Sequence, residues 1–164
     1  MPTIEPTVYL ETTVIGYLAM RVSSLLRVAA NQQTTRDWWD NQRQRFALFV
    51  SRFVVDECSD GDPTAAQGRL VYLEGIPLLQ ITDEVSSLAE ALRVGVPLPE
   101  KAAVDALHIS VAAINGVQFL LTWNCKHLAN PSLRPRIESL CRERGYEPPV
   151  ICTPQELLEI DDAD

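Results

Sequence analysis

Short apolar runs alternate with helix-length segments along the whole chain, and that alternation is what most constrains the fold. Residues 7–10, 46–50, 78–81, 117–122 and 150–152 read as strands. A nearly continuous apolar run of this length marks a strand buried on both faces, as in a parallel sheet. Parallel neighbours need crossovers, and the intervening stretches supply them as helices. The pattern predicts an α/β domain with a mainly parallel central sheet, over residues 1–164 as one domain.

The helical segments have readable ends. A helix through 14–18 follows the first strand, with Thr12 and Thr13 placed to cap it, and a polar helix runs from about 24 to 45. Ser51 is positioned to cap a helix that contains Phe53, Val54 and Glu57. Pro63 after Asp62 starts another, because proline is tolerated in the first turn, and it ends near Gly75. Further helices are expected over 83–94 with Thr82 as cap, over 100–114 stopped by Asn115-Gly116, after Asn130-Pro131 to about Arg144, and over 155–160.

Composition bounds the function. Hydrophobic residues make up 46% and charged residues 22% of the 164, ordinary for a chain that buries its own core. No apolar run is long enough to span a bilayer, and the first residues lack the basic start and apolar stretch of a signal peptide. A cytoplasmic location is the expectation. The four cysteines form no CxxC pair and only two histidines are present, which argues against a zinc or redox centre. Free structural thiols are expected. A net charge of −8 repels polyanions over about 8 Å at physiological salt. That objection to nucleic acid weakens where bases cluster, as at Arg134, Arg136, Arg142 and Arg144, and at Arg36, Arg43 and Arg45, or where acids bind metal.

Oxygen side chains stand where parallel sheets bind ligands, just past the carboxyl ends of strands. Glu11 follows the first strand and Asn124 follows the run 117–122, while Asp105 lies in an almost wholly apolar helix with Val104, Leu107, Val111 and Ile114 on one face. Carboxylates gathered there suit a hard divalent cation. Each has a plainer reading. Asp105 can pair with Lys101 one turn earlier, Glu11 can answer the dipole of the next helix, and Asn124 can be a turn residue. Glu57, among Asp56, Asp60 and Asp62, reads as an exposed acidic helix end. His108 reads as a packed or hydrogen-bonded histidine, and Trp38, Trp39 and Trp123 as packing residues, with Trp38-Trp39 a candidate contact surface.

Taken together, Val8-Tyr9-Leu10-Glu11-Thr12-Thr13, Asp105-Ala106-Leu107-His108-Ile109 and Leu121-Thr122-Trp123-Asn124 resemble the PIN-domain family, especially the toxins of bacterial toxin–antitoxin systems. The resemblance spans residues 7 to 155 in the family's order. It implies a three-layer, Rossmann-like α/β sandwich and a Mg²⁺- or Mn²⁺-dependent endoribonuclease. By that resemblance the metal ligands fall on Glu11, Glu57 and Asp105, with Thr13 and Asn124 orienting water or phosphate. RNA as substrate, a cognate antitoxin and a homodimer are implied as partners. Two positions depart from the family: Glu11 is one methylene longer than the usual Asp, and Asn124 replaces an acid. The alternative is a PIN-fold protein of weakened or lost activity that works through a protein partner. An aspartyl-phosphate phosphatase is disfavoured, because Thr13 stands where its second Asp is needed.

Overall fold

The computed structural model describes residues 4–159. Four strands, β1 (Thr7–Leu10), β2 (Ala47–Phe49), β3 (Phe119–Leu121) and β4 (Val150–Cys152), form one sheet in the order β2-β1-β3-β4. Every neighbouring pair is parallel, with Tyr9 level with Phe49 on one side and Leu120 on the other, and Leu121 level with Cys152. Val8, Tyr9 and Leu10 have no exposed surface, as expected of a central strand covered on both faces. Helices flank the sheet, giving the three-layer α/β arrangement expected from the sequence.

The helices are α1 (Thr12–Ala19), α2 (Leu26–Asn41), α3 (Arg52–Ser59), α4 (Pro63–Leu70), α5 (Asp83–Gly95), α6 (Ala103–Ile114), α7 (Arg134–Glu143) and α8 (Pro154–Glu159). The expected end of the last helix, Ile160, lies outside the described residues. Three expected helices finish or start as 3₁₀ turns: Arg43–Arg45 after α2, Val71–Leu73 after α4, and Glu100–Ala102 before α6. Asp62 caps α4 through Ala65 N–H at 2.9 Å, with Pro63 at its first position. Gly116, at φ +68°, closes α6 in the left-handed conformation that lets Val117 N–H reach Ala112 C=O at 3.0 Å.

Several expectations are corrected. The strand at 78–81 is a single bridge from Val50 to Leu78. The bridge makes two bonds, Val50 N–H to Pro77 C=O at 3.1 Å and Leu79 N–H to Val50 C=O at 2.8 Å, and goes no further because the chain turns into α3 at Arg52; Leu78 and Ile81 are 54% and 42% exposed. Ser51 and Thr82 occupy cap positions without a capping side-chain bond. Ser51 is buried and turned toward Tyr9. Neither Thr12 nor Thr13 caps α1; Glu11 does. The apolar face of α6 is also displaced: Val104 is 36% exposed, while Ala106, Ile109, Val111, Ala112 and Ala113 are buried. Trp38 is fully buried, which removes it from the candidate contact surface, while half-buried Trp39 packs edge-on against Tyr72 beneath Arg43.

Helix α5 packs against α7 where Gly95 meets Leu140. A Cβ at Gly95 would collide with Leu140 Cδ1, and Arg136 already donates to Gly95 C=O at 3.0 Å. Gly95→Val is therefore expected to cost about 1–3 kcal/mol of overpacking. Thermal unfolding checks it, a lower melting temperature being the expected result. All four cysteines are free, three buried and Cys125 exposed. Among the described residues no helix is long and apolar enough to cross a membrane.

Candidate functional site

The chain leaves β1 for β2 on one side of the sheet and later returns to β3 on the other. The order therefore reverses at β1, and its carboxyl end is the topological switch point where open α/β sheets bind ligands. Glu11 N–H bonds Leu121 C=O at 3.0 Å, and Thr122 N–H bonds Cys152 C=O at 2.9 Å, which brings Glu11 and Thr122 out of adjacent strands side by side.

Glu11 is 3% exposed. Its Oε2 accepts from Thr13 N–H at 2.8 Å, and its Oε1 from the Thr13 hydroxyl at 2.7 Å and the Thr122 hydroxyl at 2.8 Å. The extra methylene relative to Asp lets one carboxylate cap α1 and grip the loop after β3 together. Burial raises its carboxyl above the ordinary value, against the opposing pull of His108 and its three donors. Thr13 Oγ1 also accepts from Trp123 N–H at 2.8 Å, and Thr122 Oγ1 from Asn124 N–H at 2.9 Å, so the two threonines tie the loop to α1.

Glu57, on α3, has a partly exposed side chain. Its Oε1 accepts from the Thr12 hydroxyl at 2.7 Å and contacts His108 Nε2 at 2.7 Å. Burial works to raise this carboxyl, but the bonds from His108 and Thr12 outweigh it and hold Glu57 below the ordinary range. His108 is 1% exposed, and its Nδ1 lies 2.6 Å from the Tyr9 hydroxyl, itself 2.7 Å from the Ser51 hydroxyl. One consistent proton arrangement has Ser51 donating to Tyr9, Tyr9 to Nδ1, and Nε2–H to Glu57. His108 is thus the hydrogen-bonded histidine expected, but its partner is Glu57.

Asp105, in the first turn of α6, is not paired with Lys101. Asn124 Nδ2 donates to Oδ1 at 3.2 Å, and His127 Nδ1 lies 3.1 Å from Oδ2. Asn124 Oδ1 accepts from His127 N–H at 3.1 Å, closing the loop on itself. Burial raises the Asp105 carboxyl; the two histidines oppose the rise and Glu57 adds to it. Asp105 and Glu57 thus act on each other, and both interact with His108. Both histidines of the chain stand on site acids.

Sequence reasoning did not assign His127, Tyr9 or Ser51 to this cluster. The available signal was His127, one of only two histidines, three residues after Asn124. Three of the four clustered arginines near the C-terminus lie beside acids, while Arg144 is exposed. Arg134 lies near Glu156 at 3.9 Å, Arg136 near Glu143 at 3.4 Å, and Arg142 near Glu138 and Glu147 at 3.9 and 3.3 Å.

Among the described residues no group of three His, Cys, Asp or Glu side chains is set to hold a metal ion together. The donor chemistry does suit a smaller set. Glu57 and Asp105 are partly buried carboxylates in mutual repulsion, and Mg²⁺ binds through one or two carboxylates while keeping several waters. Glu11, 3% exposed and holding three donors, is the most enclosed of the three candidate acids.

No protein-family model matches the chain, and no curated protein matches it. Solved structures do. VapC20 of Mycobacterium tuberculosis, a toxin that cleaves the sarcin–ricin loop, matches with a TM-score of 0.54 at 16% identity, covering 70% of this chain and 87% of its own. VapBC2 from Rickettsia felis, solved with a DNA fragment from its promoter, matches with a TM-score of 0.52 at 15% identity, covering 90% of this chain and 98% of the other. At such identities the likeness is one of fold, and this chain has the PIN-like fold of those toxin structures.

Proposed function

We propose that this protein is an endoribonuclease of the toxin–antitoxin kind, hydrolysing RNA phosphodiesters with Mg²⁺ or Mn²⁺ at the carboxyl end of β1. The observation that carries the reading is the convergence of Glu57 and Asp105 at the switch point, each held by a histidine. The likeness of the fold to VapC20 and VapBC2 supports it. A cognate antitoxin, a second copy of the chain and a cytoplasmic setting belong to the same proposal.

Glu57 and Asp105 would hold the ion, with water and phosphate oxygens completing its shell. A bound divalent ion supplies positive charge for the phosphate and lowers the pKa of its water, which also answers the repulsion expected from the net charge. The chain's own residues do the positioning. His108, set by Tyr9 and Ser51, fixes Glu57, and His127 and Asn124 fix Asp105. Thr13 and Thr122, gripped by Glu11, keep the β1 and β3 ends together, with the Asn124 amide between Asp105 and the loop.

Calorimetric titration with Mg²⁺ and Mn²⁺, with cleavage of a mixed RNA pool followed in parallel, tests the proposal. Asn124→Asp adds a charge next to Asp105, and is expected to tighten metal binding about tenfold while weakening the metal-free fold. Wild-type protein that binds neither ion and cleaves no RNA would sink the catalytic reading and leave a partner-binding protein.

A further inference from the structure

An aromatic pair stands beside the site residues, and its rings take no part in the bonds described above. Tyr17, one turn beyond Thr13 on α1, lies against Trp123 with ring centroids 5.7 Å apart and planes 18° from parallel. Trp123 stands in the chain between Thr122, bonded to Glu11, and Asn124, bonded to Asp105. Its backbone is pinned to Thr13, and its indole N–H donates to Thr35 Oγ1 at 2.7 Å, a buried hydroxyl that in turn donates to Asn31 C=O at 2.6 Å. The tryptophan is therefore fixed at two points.

Tyr17 is different. It is half-buried and stands outside the apolar core that Trp123 packs against, and no described residue bonds its hydroxyl. A half-buried tyrosine stacked on an immobilised tryptophan is a flat apolar surface whose ordering cost is already met by the fold. Lys126, three residues after Trp123, is exposed on the same loop.

We propose that Tyr17, backed by Trp123, is a stacking subsite for an unpaired nucleobase of the RNA, beside the acids Glu57 and Asp105. The proposal rests on the ribonuclease reading for its ligand and deepens it, because a subsite of this kind selects single-stranded over duplex RNA. Stacking on an aromatic side chain tolerates any base and contributes about 1–3 kcal/mol per base. Paired bases keep their faces inside the helix and gain nothing from the platform.

The test is fluorescence anisotropy of a short mixed-sequence single-stranded RNA in buffer with chelator, which withholds the ion that hydrolysis requires. Tyr17→Ala and Tyr17→Leu are each expected to weaken binding on the order of tenfold, Tyr17→Phe to bind as wild type, and duplex RNA of the same sequence to bind weakly to all four. Equal binding by wild type and Tyr17→Ala, an equal loss in Tyr17→Phe, or no single-strand preference overturns the subsite. Cleavage of the same RNA with the ion supplied, measured alongside, separates the two ideas. Cleavage that persists unchanged in Tyr17→Ala removes the subsite and leaves the ribonuclease, whereas Tyr17-dependent binding without cleavage keeps the subsite and removes the ribonuclease.

Discussion

Asp105→Asn is expected to lower RNA cleavage by about 100- to 1000-fold, the size of effect seen when one preorganised electrostatic contact to a reacting group is lost, and to make the metal-free protein more stable at neutral pH. The two effects have one cause. Asp105 is partly buried and feels the charge of Glu57, so its carboxyl titrates above its ordinary value in the folded chain. A carboxyl raised by folding binds its proton more tightly in the native state. Its contribution is therefore favourable below the unfolded pKa, about 3.9, and is lost as pH rises through the folded value. Asparagine carries no such loss. The melting temperature of the variant relative to wild type should climb across that window and then level off. Glu57 has the opposite sign: its lowered carboxyl gives stability above the unfolded value that is lost on acidification. Melts of Asp105→Asn and wild type from about pH 3.5 to 7 in chelator, with cleavage assays on the same preparations, check both. Unchanged cleavage would remove Asp105 from the site, and a parallel pair of melting curves would remove the account of its charge.

The sequence disclosed the frame of this molecule better than the partners of its acids. The central strand was legible to the residue, because an apolar run buried on both faces needs no tertiary information to be recognised. Pro63 after Asp62 and the Asn115-Gly116 stop were legible for the same reason, each being a local backbone constraint. The run at 78–81 has strand-like composition too, but whether an apolar run joins a sheet depends on an edge able to receive it, and that edge ends just after Val50, where the chain turns into α3. The acids show the same division between local and distant causes. Lys101 is the natural sequence neighbour of Asp105, yet Asn124 and His127, brought in by the loop after β3, hold that carboxylate instead. The placement of Glu11 at the strand end was legible, but the return of its carboxylate onto Thr13 and Thr122 depends on the β1–β3 pairing. Arg134, Arg136 and Arg142 read as part of a basic cluster until Glu138, Glu143, Glu147 and Glu156 are seen beside them. Arg142 and Glu138, four residues apart on one helix, were the part of that neutralisation a sequence can show.

Glu11→Ala is expected to cost about 3 kcal/mol of stability, and the reason separates framing from metal ligation. The substitution removes the cap of α1 and leaves Thr13 N–H, which cannot rotate to another partner, without an acceptor, while Thr122 loses its grip on the end of β1. At about 2–4 °C per kcal/mol for a chain of this size, the melting temperature should fall by about 10 °C. The loss should be largest at low pH, because a carboxyl raised by burial contributes its full stability below the unfolded value, about 4.3, and less as pH rises through the folded value. Glu11→Asp sharpens the distinction. The shorter side chain still offers Thr13 N–H an acceptor but is one methylene less able to span to Thr122. A framing residue so shortened loses stability while Mg²⁺ affinity stays within a few-fold of wild type, since Glu57 and Asp105 are untouched. A direct ligand does the reverse, moving metal affinity with little change in the metal-free melt. Calorimetry with Mg²⁺ and thermal unfolding of Glu11→Asp and Glu11→Ala, read as a pair, decide which of the two this buried carboxylate is.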